Sequence, residues 1–115
     1  MKLTEVNKSI QNNLFLQETS QQLEKDFLMT WINFDIDNPV WDYKYLFSFT
    51  YHLVNALNEQ NSQKVLNLIY RIDLAEEKVR EEMQKTQLSF TEMLSEMIVK
   101  RELKKVIIKS YFTNS

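Results

Sequence analysis

At 115 residues, 43% of them hydrophobic and 12% aromatic, the chain can fill one hydrophobic core and leaves little room for a second domain. A formal net charge of −2 gives it no broad positive field of the kind nucleic-acid binders carry, and zero cysteine excludes disulfides, thiolate metal sites and a cysteine nucleophile. No run approaches the about 20 apolar residues that span a bilayer, and the first residues lack the apolar stretch of a secretory signal, so a cytoplasmic protein is expected.

The absence of glycine is the most informative feature of the composition. Glycine normally supplies positive φ at tight turns, hairpins and helix ends. A β-rich domain without it, and with Pro39 as the sole proline, would be unusual. A helical chain can manage, because asparagine tolerates the left-handed conformation, and Asn33, Asn61 and Asn114 stand available. The expected fold is all-α: residues 1–115 form a single-domain bundle of about four helices with short connections, one or two of them kinked or broken. Phosphate-binding and dinucleotide loops and the nucleophile elbow all require glycine and are excluded.

The first helix is expected from about Thr4 to Ile32. Val6, Ile10 and Leu14 repeat at i+4, and Leu16, Leu23 and Phe27 continue the pattern. The polar run "QETSQQ" between them is either surface or a break near Thr19, which has capping-box spacing to Gln22. In "INFDIDNPVWDY", Asn38 before Pro39 reads as an N-cap beside a proline at the first helical position. Asp35 and Asp37 resemble the start of a calcium loop, but that loop's glycine is missing and Leu46 stands where its bidentate glutamate belongs. They are read as turn formers and as negative charge at the positive end of the next helix, so no metal or cofactor is expected.

The second helix is expected from Pro39 to about Glu59. Tyr43, Tyr45, Phe47, Phe49, Tyr51 and Leu53 also alternate as a strand would, but Leu46, Val54 and Ala56 would then fall on the wrong face. A third helix follows Asn61-Ser62, with a joint expected near Asp73, where "DLAE" is a capping signal. Glu76–Arg80 and Glu81–Lys85 have favourable i, i+4 spacing. The last helix starts at the capping box of Ser89 and Glu92, with Leu88 and Met93 at staple positions.

Trp31, Trp41 and the aromatic residues of the second helix point around most of its circumference, so some of them should face a partner rather than the core. The candidate interface is Trp41, Tyr45, Phe49 and Tyr51. Charge is uneven along the chain. Lys100, Arg101, Lys104, Lys105 and Lys109 are accompanied only by Glu102 and form a candidate anion-binding stripe. Its simpler reading is a solvated face that complements the negative end of the helix. His52 is the only histidine, and with Asp42 it could form an acid–base pair at a site shared between subunits. These features point to a small non-enzymatic protein–protein interaction module, a homo-oligomer or an adaptor. A nucleic-acid-associated regulator using the basic terminal helix is the alternative, and an enzyme with an inter-subunit site near His52 the second.

Overall fold

The computed structural model describes residues 12–113. They form five helices: α1 (Asn13–Leu28), α2 (Tyr43–Gln60), α3 (Ser62–Ile72), α4 (Glu76–Lys85) and α5 (Phe90–Thr113), with no strand among the described residues. The fold is therefore the expected all-α bundle. It has five helices because the third one is jointed at Asp73.

The joints show how a glycine-free chain ends a helix. At the end of α1, Trp31 takes φ 65°, its N–H donates to Leu28 O (3.0 Å), and Ile32 N–H donates to Phe27 O (3.0 Å). The Asp73 joint repeats the arrangement: φ 66°, Asp73 N–H to Tyr70 O (3.1 Å), Leu74 N–H to Ile69 O (3.0 Å). Both are Schellman closures, in which a left-handed residue lets two amides reach back to orphan carbonyls. Asparagine was expected at such positions, but Asn61 has φ −157°. It serves instead as a hinge. Its N–H donates to Leu57 O (2.7 Å) to close α2, and its Oδ1 accepts from Lys64 N–H (3.3 Å) to open α3.

Three expected boundaries need correction. Helix α1 ends at Leu28, not Ile32, while Val6, Ile10 and its expected start at Thr4 lie outside the described residues. It has no break at Thr19, whose Oγ1 donates to Phe15 O (2.6 Å), so the polar run stays helical and buries Thr19 and Ser20. Helix α2 does not begin at Asn38-Pro39; the cis Asn38–Pro39 bond lies ahead of it, and the N-cap is Asp42, whose Oδ1 accepts from Tyr45 N–H (2.8 Å). The reason is local. Both backbone groups of Val40 are taken by the Gln17 side chain and cannot join a helix. The start of α4 lacks a side-chain cap, since its N-cap is Ala75.

Helix α5 is the central rod and packs against all four others. Leu94, Ile98, Val99, Leu103 and Ile107 are buried on it. The serine half of the capping box that opens it is formed: Ser89 Oγ accepts from Glu92 N–H (3.2 Å) and donates to Glu92 Oε1 (3.1 Å). The aromatic helix α2 is peripheral by comparison, with only Leu46, Thr50 and Val54 fully inside.

Candidate functional site

The segment between α1 and α2 is an extended strap. Ile32, Phe34 and Ile36 are buried while Asn33, Asp35 and Asp37 are exposed, a period-two alternation in a stretch without helix or turn. Each buried side chain contributes about 1.5–3 kcal/mol by leaving water. Phe34 is the wedge, edge-on to Phe27 of α1 and to Phe49 of α2, both at 4.9 Å between ring centroids. At the far end, Gln17 Nε2 donates to Val40 O (2.6 Å) and Val40 N–H donates to Gln17 Oε1 (2.8 Å), so one side chain imitates a paired strand. The strap thus starts at Phe27 and ends at Gln17, running antiparallel to α1 for about 15 Å at 1.5 Å per helical residue.

A tryptophan stands at each end. Trp31 is 87% and Trp41 80% exposed, and they are the only tryptophans in the chain. Leu28 and Met29, next to Trp31, are also exposed. Between the tryptophans the outward side chains are polar or acidic except Pro39, and the Asp42 cap adds a further carboxylate. Among the described residues, the backbone N–H groups of residues 33–38 and the C=O groups of residues 33–39 make no hydrogen bond to other backbone.

The expected aromatic interface is divided by the structure. Trp41 is exposed. Tyr45 and Phe49 pack against the core, and Phe49 is held by Phe34. Tyr51 belongs to a half-buried ladder with Tyr43 and Phe47, its rings stacked at 6.3 Å spacing along one side of α2. The Tyr43 hydroxyl is buried without a hydrogen-bond partner among the described residues, and burial first, then the charge of Glu96, pushes its pKa well above the usual phenol range.

The basic stripe is largely consumed by the fold. Lys100 Nζ pairs with Glu96 (2.8 Å) and Arg101 with Asp73 (3.2 Å). Lys105 Nζ bridges Glu102 (2.7 Å) and Asp26 (3.4 Å). Lys104 is half-buried. Lys105 and Lys109, with Lys25 of α1, border a groove of about 640 Å³ between α1 and α5 over Leu14, Phe15 and Val106.

Beneath that groove lies a carboxyl pair that spacing could not reveal. Asp26 and Glu102 are both buried, and Asp26 also meets Arg71 Nε (3.2 Å) and Gln22 Nε2 (3.1 Å). Among the described residues no donor reaches Glu102 Oε2, and a proton on Glu102 would let it hydrogen-bond to Asp26. Burial, reinforced by that bond and the Asp26 charge, raises the Glu102 pKa to about 8 against the opposing pull of Lys105. Burial would raise Asp26 too, but hydrogen bonds from Glu102 and Gln22, with Lys105 and Arg71, outweigh it and hold Asp26 below its ordinary value.

His52 is exposed on α2, its ring 5.3 Å from Tyr51. Asp42 is engaged as the cap of the same helix, and ten residues of helix separate the two by about 15 Å. Asp42 therefore does not orient His52. Among the described residues no group of three His, Asp or Glu could hold a metal ion, and no helix is long and apolar enough to cross a membrane. Compared with known families, curated proteins and solved structures, the chain finds no match.

Proposed function

We propose that this chain is a non-enzymatic protein–protein interaction module whose contact surface is the strap from Trp31 to Trp41. The observation that carries the reading is the pair of tryptophans left almost entirely in water at the ends of a segment that is itself anchored. An exposed tryptophan contributes nothing to its own core, and tryptophan is the residue type most enriched at the energetic centres of interfaces. Pre-anchoring lowers the ordering cost that a partner would otherwise face. Compared with the expectation from sequence, the surface moves from the body of α2 to the segment preceding it, with Trp41 common to both.

The test is affinity capture from a cell extract with the intact chain and with a Trp31→Ser/Trp41→Ser variant of unchanged circular dichroism. Truncating two central anchors should weaken retention of a true partner by about thirtyfold or more. The purified partner should then shift the tryptophan emission of the intact chain. Equal retention by both chains removes the surface.

A further inference from the structure

We infer that the strap receives an extended, basic segment of its partner, edge to edge, between Trp31 and Trp41. This rests on the interaction reading above and names the partner's chemistry. Three observations point the same way. From Asn33 to Asp37 the side chains alternate outward and inward as along a strand, and the backbone has no backbone partner among the described residues, which is the condition for a peptide to add itself as a strand. These five positions match an ordinary strand in residue count. Their inward side chains are fixed by Phe34 and its ring contacts, so the edge is held in place before a partner arrives.

Charge then selects the occupant. The stretch from Trp31 to Asp42 contains Asp35, Asp37 and Asp42 and no lysine or arginine. Two copies meeting strap to strap would bring six carboxylates together, and like charges directly opposed on paired strands are destabilising. A second copy is disfavoured at this edge. A partner strand with lysine or arginine at alternate positions places cations opposite Asp35 and Asp37, which stand two residues apart on the same side. Trp31 and Trp41 remain free to cover apolar or cationic side chains at the ends of the incoming segment.

The experiment titrates the intact chain with a capped peptide of alternating lysine and threonine carrying a leucine near each end, followed by tryptophan emission at low salt. A saturable shift is expected. Asp35→Asn/Asp37→Asn should weaken it about tenfold, as should N-methylation of alternate peptide amides, which blocks edge hydrogen bonds and leaves charge intact. No saturable response up to about 1 mM overturns the inference, as does equal binding of a glutamate-for-lysine peptide. Equal binding of the N-methylated peptide overturns edge pairing. None of these outcomes touches the capture experiment, which depends on the tryptophans and decides separately whether the surface binds any protein.

Discussion

The basic stretch of α5 and the acidic strap between α1 and α2 are both dense in charge of one sign, and the fold disposes of that charge in opposite ways. On α5, Lys100, Arg101 and Lys105 each meet a carboxylate of the same chain, and Lys105 reaches two buried ones. On the strap, Asp35 and Asp37 make no ion pair among the described residues and face water between two exposed tryptophans. Charge answered within the chain fixes helix packing. Charge without an ion pair among the described residues does no such work there. The candidate anion stripe falls mainly in the first class, and the short acidic stretch read from sequence as a boundary falls in the second.

The largest expected effect separates the two regions by one chemical change made in both. Asp26→Asn removes the charge that Arg71 and Lys105 face, and should cost about 3 kcal/mol in urea unfolding, the low end for a broken buried pair because Arg71 is partly solvated. Asp35→Asn and Asp37→Asn, on exposed side chains, should each change stability by less than about 0.5 kcal/mol. Comparable losses at all three positions would erase the distinction.

Glu102→Gln sharpens the α5 side through its pH dependence. The folded pKa near 8 lies above the ordinary 4.5, so the proton on Glu102 stabilises the fold fully below pH 4.5, and that contribution is lost as pH rises to about 8. Asp26 works in the other direction: its contribution is full above its ordinary 3.8 and lost as pH falls through its lowered value. The stability of the wild type minus that of the Gln variant should therefore fall steadily as pH rises from 4.5 to about 8, then level off. Urea titrations at several pH values measure it. A difference independent of pH would mean that Glu102 is ionised throughout.

On the strap side, Gln17→Ala leaves Val40 N–H and C=O without their partner and should cost about 1–3 kcal/mol. Faster amide exchange should appear at Val40 and the residues before it, while α5 stays protected. Uniform exchange throughout the chain would show that Gln17 does not pin the strap.

The same contrast explains what could be read in advance. The capping box at Ser89, the Asn61 punctuation and the joint at Asp73 were legible because each is decided by side chains within a few residues of one another. The alternation Ile32, Phe34, Ile36 was also in the sequence, at period two. Asp35 and Asp37 beside those residues read as turn formers at a boundary between two helices, and that reading passes over the alternation. The Gln17–Val40 clamp joins residues 23 positions apart, and Lys105 reaches Asp26 across 79, so neither can be found from local spacing. The expectation of asparagine at left-handed joints followed intrinsic preference. The structure instead puts Trp31 there, because Phe27 and Ile32 on either side are both core residues and the turn between them must close where it does.

That last point gives the smallest expected effect and the one most specific to Trp31. A left-handed residue with a Cβ costs about 1–2 kcal/mol, which glycine avoids while adding freedom to the unfolded chain. Trp31→Gly should therefore stabilise the fold by about 0.5–1 kcal/mol, read as a higher urea midpoint with unchanged slope. At Asp73 the same backbone gain is offset by loss of the Arg101 pair, an exposed interaction worth about 0–1 kcal/mol, so Asp73→Gly should be near neutral. If Trp31→Gly raises stability and abolishes partner retention together, the tryptophan is kept at a strained position for what it contacts outside the chain, as expected of a residue that stores strain at a functional site. If it lowers stability, the Trp31 ring contributes to the fold itself, and one end of the proposed contact surface is lost.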